Sequence, residues 1–173
     1  MRKRLKIIAL LFLVPAGLTI HSCKIAYSFS GSSIDPRVSS IAIKDFPNLA
    51  PEYTYPPLSQ DLTEALKDKF TRQTKLKMVR DNGDLEIEGE ITRHSFTPQA
   101  PTANMLAAMT RLTIGVRVRY TNKIIPEEDF EQSFSAYYDF SNDRTIDEVQ
   151  SEACEQIIKE IIDQIFNQTV ANW

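Results

Sequence analysis

Apolar residues recur in this chain first every four positions and then every two, and the change of period marks out its elements. Leu58, Leu62, Leu66 and Phe70 follow one another at four-residue intervals, with Ala65 beside them and Asp61, Glu64, Lys67, Asp68 and Lys69 on the far side. That spacing predicts a helix with one apolar stripe, opened by Pro57 at an early position where a missing N–H costs nothing. After Thr74 the period is two. Leu76 and Met78 alternate with Lys75 and Lys77, and Asp81-Asn82-Gly83-Asp84 comes next, a turn signal that predicts a hairpin. Leu85, Ile87, Gly89 and Ile91 then alternate with Glu86, Glu88 and Glu90. A later stretch sets Leu112, Ile114, Val116, Val118 and Tyr120 against Thr113, Gly115, Arg117 and Arg119. A third sets Phe130, Phe134, Ala136, Tyr138 and Phe140 against Asp129, Glu131, Ser133, Ser135 and Asp139. Alternation of this kind belongs to antiparallel strands with one buried and one wet face.

Two further elements flank this block. Val38 to Ile43 reads as a short strand ending near Pro47. Thr145-Ile146-Asp147-Glu148 has the form of a capping box, and Ile146, Val149, Ala153, Ile157, Ile161, Ile165 and Phe166 extend a long apolar stripe beyond it. The expected fold is α+β: a two-layer sandwich with two helices on one face of a mostly antiparallel four-stranded sheet, in the order βαβββα. Its open face would carry Glu86, Glu88, Glu90, Glu131, Arg117 and Arg119, with cross-strand ion pairs worth about 0.2–1 kcal/mol each.

The start of the chain changes the picture. Arg2, Lys3, Arg4 and Lys6 precede an apolar run from Ile7 to Ile20, too short to span a bilayer, and Ser22 stands just before Cys23. This predicts a signal peptide over 1–22, cleavage before Cys23 and acylation of its thiol. Residues 23–37 would then be a lipidated tether, rich in serine but holding Tyr27 and Phe29, and 38–173 a single domain. The mature chain keeps 16 Lys+Arg against 23 Asp+Glu, a net charge of −7. So acidic a surface argues against nucleic acid as a partner. With Cys23 acylated, Cys154 cannot form an internal disulfide, and its place in an apolar stripe makes it a small buried hydrophobe.

Catalytic chemistry is hard to find. His94 is the sole histidine of the mature chain, and at a strand end it reads as a surface residue rather than a general base. There is no nucleophile elbow, no Cys/His metal spacing and no phosphate-cradling glycine loop. The glutamate row has the spacing of a solvated strand face. Apolar residues in unexpected places carry more information. Met105, Leu106 and Met109 sit in what reads as a loop, where they either extend a strand or meet a partner. Trp173 either closes the core or anchors a complex.

Several fragments in order resemble one family. They are Cys23, Tyr27-Ser28-Phe29-Ser30-Gly31, Ser39-Ser40-Ile41-Ala42-Ile43, Phe46-Pro47-Asn48, Pro57-Leu58-Ser59, Gln73-Thr74-Lys75-Leu76, Gly83-Asp84-Leu85, Glu88-Gly89-Glu90-Ile91, Arg111-Leu112-Thr113-Ile114 and the close from Ile165 to Trp173. Together they look like an LptE-type lipopolysaccharide-assembly lipoprotein of the Bacteroidetes variety. The resemblance implies a non-catalytic protein without cofactors other than the lipid on Cys23. It implies attachment to the outer membrane facing the periplasm, and a role in filling and stabilising a large LptD-type β-barrel that delivers lipopolysaccharide to the surface. Arg117 and Arg119, then Arg93 and Arg111, become candidate lipopolysaccharide contacts; Met105, Leu106, Met109 and Trp173 become candidate barrel contacts. A free-standing envelope lipoprotein that carries or senses a small ligand is the alternative.

Overall fold

In the computed structural model the described residues are 34–51, 55–100 and 108–170. Among the described residues five strands and two long helices succeed one another: β1 (Ser40–Ile43), α1 (Leu58–Gln73), β2 (Lys77–Val79), β3 (Leu85–Gln99), β4 (Met109–Asn122), β5 (Phe130–Ser141) and α2 (Ile146–Val170). A single 3-10 turn, Pro126–Glu128, lies between β4 and β5. The strands form one sheet in the order β2-β1-β3-β4-β5. The fold is α+β as expected, but the sheet has five strands and is mixed. β1 runs parallel to both of its neighbours, while β3, β4 and β5 are antiparallel.

The expected hairpin between β2 and β3 is not formed, because β1 lies between them. Ile41, Ala42 and Ile43 are all buried, and a short continuous apolar run suits an interior strand better than an edge. The Asn-Gly signal marks a real turn, with Asn82 at a φ of 55°, but the turn serves a crossover. Arg80 to Asp84 carries the chain across β1. A Cβ on Gly83 would stand 2.6 Å from the Ala42 nitrogen and 2.9 Å from the Ile41 carbonyl carbon, so only glycine fits the crossing.

Both helices pack on one face of the sheet. Leu58, Leu62, Leu66 and Phe70 of α1 are fully buried, as are Val149, Ala153, Ile161 and Ile165 of α2. Phe70 meets Phe166 edge to face at 5.1 Å, and Lys69 of α1 binds Asp163 of α2 at 2.6 Å. At the start of α2, Glu148 accepts the Thr145 N–H at 2.8 Å, as a capping box requires. Asp35 accepts three hydrogen bonds from Arg37, and Ile34 packs against the core, so the end of the expected tether lies on the domain.

The expectation for His94 needs correction, and Met109 takes the first of its two readings, the extended strand. β3 contains a bulge: Ile91 pairs with Val116, but the next partner, Gly115, pairs with Arg93. The extra residue, Thr92, reverses the parity of the rest of the strand, so His94 points inward and is fully buried beside Phe96, with ring centroids 5.8 Å apart. It is not a surface residue. Pro98 and Gln99 pair with Thr110 and Met109, which places Met109 in a strand rather than a loop.

Candidate functional site

The sheet face turned away from the helices is the polar surface of the domain, and its side chains are matched across strands. Register sets Glu88 opposite Arg119, Glu90 opposite Arg117, and Arg119 opposite Glu131. Arg119 therefore lies between two carboxylates, donating to Glu88 at 3.0 Å and to Glu131 at 3.1 and 3.2 Å. Arg117 donates to Glu90 at 3.1 Å, and Lys123 to Glu86 at 2.8 Å. Lys44, next to β1, binds Asp81 of the crossover. Glu131 first, and Glu88 after it, raise the Arg119 pKa further above its ordinary value. These pairs are exposed, so each adds little to stability. Their effect is on the face as a whole, which is densely charged yet locally neutral.

Further along, Arg111 binds Asp139 through two bonds of 2.7 Å, and its guanidinium lies 3.7 Å over the Tyr137 ring. That bidentate grip raises the Arg111 pKa and lowers that of Asp139. Tyr137 is 55% exposed, an aromatic on the wet face. Sequence reasoning passed over it in favour of Tyr138. Its position between Ser135 and Asp139 in the alternation was the available signal.

Arg93 differs from the other three arginines. It stands at the bulge, opposite Gly115, where a Cβ would lie 3.3 Å from the Arg93 Cβ. No ion pair joins it to a described residue. Of the four candidate arginines it alone has no acid partner among the described residues, and it is exposed beside the buried Gly115.

The remaining candidates fall elsewhere. Met109 begins β4, half-buried between Gln99 and Ser141. Cys23, Met105, Leu106 and Trp173 lie outside the described residues. Cys154 is buried in α2, and burial pushes its thiol up to about 12, which makes it a packing residue. Among the described residues no group of three or more His, Cys, Asp or Glu could hold a metal ion. No described helix is long and apolar enough to cross a membrane.

The described residues thus form a two-layer α+β domain whose outer sheet face is charged and largely self-neutralising. The model of the LptE lipopolysaccharide-assembly family matches residues 38–169, and the chain belongs to that family, whose members act in lipopolysaccharide assembly without being enzymes. Solved structures share the fold at low identity. A hypothetical protein from Chlamydia trachomatis is 13% identical with a TM-score of 0.51, covering 78% of this chain and 99% of that one. A protein from Xanthomonas campestris is 12% identical with a TM-score of 0.51, covering 79% and 88%. A minor lipoprotein from Acinetobacter baumannii is 15% identical with a TM-score of 0.49, covering 76% and 92%. Curated proteins gave no significant match.

Proposed function

We propose that this protein is an outer-membrane lipoprotein, cleaved after residue 22 and acylated on Cys23, that fills and stabilises an LptD-type β-barrel in lipopolysaccharide delivery. The observation that carries the reading is the outer sheet face of a domain in the LptE family. Large membrane barrels have polar interiors. A face on which Arg111, Arg117 and Arg119 already hold carboxylates can enter such a lumen with those charges matched, whereas unpaired ions would each cost several kcal/mol. Met109, with Met105 and Leu106 in the connection before it, supplies apolar contacts to the barrel wall at one end of the sheet. Arg93 is the first choice for a lipopolysaccharide phosphate, with Arg117, Arg119 and Arg111 behind it because each would first have to release an acid.

Two acyl chains or more hold a protein on a bilayer where one does not. The chain should therefore be recovered from gently solubilised outer membranes together with a much larger barrel protein in a fixed ratio. Cys23→Ser should release it from the membrane fraction. Acylated protein that copurifies with no barrel would refute the reading and favour a free-standing carrier.

A further inference from the structure

Tyr137 stands on the outer sheet face and is 55% exposed. Arg111 covers one side of its ring, with the guanidinium carbon 3.7 Å from the centroid, and two 2.7 Å bonds to Asp139 hold that guanidinium in place. The exposed area therefore belongs to the opposite ring face and its edge. Around the ring the side chains are short and hydroxylated. Thr113 pairs with Tyr137 across the strands, Ser95 pairs with Thr113 beyond it, and Ser135 precedes Tyr137 on this face of β5. Arg93 lies two strands away, in line with Gly115 and Ser135. Strand spacing and rise put its backbone about 12 Å from that of Tyr137.

We propose that Tyr137 is a stacking platform for a sugar ring of lipopolysaccharide, with Arg93 taking the phosphate that the sugar carries. The inference rests on the lipopolysaccharide reading above and adds the sugar to it. A pyranose has a face of C–H groups and a rim of hydroxyls. Its C–H face suits the negative face of an aromatic ring, and its rim suits neighbouring hydroxyls that both donate and accept. A protein partner fits this patch less well. Protein interfaces are depleted in serine and have an apolar centre, whereas the residues beside Tyr137 on this face are Thr113, Ser135 and Asp139. Charge selects the anion's place: carboxylates hold Arg111, Arg117 and Arg119, but no described acid holds Arg93. The distance between Arg93 and Tyr137 suits one sugar ring, its phosphate and an extended arginine side chain.

The platform does not need a barrel, so it is tested on the full acylated chain alone in mild detergent. The probe is the phosphorylated oligosaccharide left when lipopolysaccharide from a rough strain is fully deacylated. Saturation-transfer NMR should place the strongest contacts on the C–H protons of one face of one sugar. Tyr137→Ala should weaken binding about tenfold, the effect of leaving one ring face uncovered, while Tyr137→Phe should bind like the native chain. Tyr137 is exposed, so Tyr137→Ala should keep its fold, which circular dichroism melts check. Removing the phosphates from the probe should weaken binding by the native chain but not by Arg93→Ala. No binding by the native chain, or unchanged binding by Tyr137→Ala, overturns the proposal, and so does an equal loss in Tyr137→Phe. Muropeptides bound as tightly as the oligosaccharide would overturn the assignment to lipopolysaccharide. A Tyr137→Ala chain that keeps the oligosaccharide but no longer copurifies with the barrel would make the ring a partner contact instead. A native chain that binds the oligosaccharide and copurifies with no barrel would sink the barrel reading and leave this one standing.

Discussion

Asp84 and Ser40 hold each other reciprocally: the Ser40 hydroxyl donates to Asp84 Oδ2 at 2.9 Å and accepts the Asp84 N–H at 3.0 Å. The same carboxylate oxygen accepts the backbone N–H groups of Ser39 and Ser40 and the Ser39 hydroxyl, at 2.8 to 3.0 Å. One side chain at the end of the crossover thus fixes the start of β1. The bonds from Ser39, ahead of those from Ser40, bring the Asp84 pKa down to about 2.

A depressed carboxylate pKa contributes stability above its unfolded value, and that contribution disappears as pH falls through the folded value. For Asp84 the window runs from about pH 4 to about pH 2. The thermal midpoint of the native protein should fall across that window. Asp84→Asn should be less stable at pH 7 and show a shallower fall below pH 4, measured by circular dichroism melts. Parallel curves for the two proteins would show that Asp84 does not carry the acid response.

Gly89 is fixed by contact rather than by dihedral angle. A Cβ there would lie 2.4 Å from the Arg117 carbonyl oxygen and 2.5 Å from Cε1 of Phe46. Gly89→Ala should therefore cost about 1–3 kcal/mol, the usual range for overpacking. Shrinking the ring with Phe46→Leu should recover only part of this in urea unfolding, because the carbonyl belongs to the backbone and cannot move aside.

Local patterns revealed the helices and the long strands because their signals are contained in neighbouring residues. The four-residue stripe of α1 and the glutamate–arginine alternation of β3 and β4 appear in the structure as read. What stayed hidden is non-local. Nothing in Ser40–Ile43 states that its neighbours will be two parallel strands, and a turn at Asn82-Gly83 looks the same whether it joins adjacent strands or steps over a third. His94 was misplaced because a bulge does not interrupt composition; Thr92 looks like any wet-face residue until its partner is known. The reciprocal role of Asp84 depends on a contact 44 residues away.

The four arginines should separate by function and stability. Arg93→Ala removes a cation without a described ion pair and should leave stability within about 0.5 kcal/mol, as surface changes do. Arg111→Ala breaks a bidentate pair and a ring contact and should cost about 1 kcal/mol. Cosedimentation with lipopolysaccharide should show the reverse ranking, with Arg93→Ala weakening binding most. Equal losses for Arg93→Ala and Arg119→Ala would mean that the Glu88 and Glu131 contacts do not restrain Arg119.

The bulge allows a sharper experiment. Deleting Thr92 would leave Ile91 opposite Val116 and Arg93 opposite Gly115, the pairs already present, and would keep His94 and Phe96 facing inward. The loss is limited to the local twist and a 3.3 Å bond from Thr92 to the Gly115 carbonyl. Deleting Ser95 instead would turn Phe96 out and Thr97 in, because a one-residue slip moves every later side chain to the other face. The Thr92 deletion should fold with a urea midpoint near that of the native chain, whereas the Ser95 deletion should lose about 2–3 kcal/mol or fail to fold. Bulges re-aim side chains, so the Thr92 deletion should also weaken lipopolysaccharide binding without touching a charged residue. A Thr92 deletion that unfolds would mean the bulge is required by the fold. One that binds as well as the native protein would mean that the direction of Arg93 does not matter.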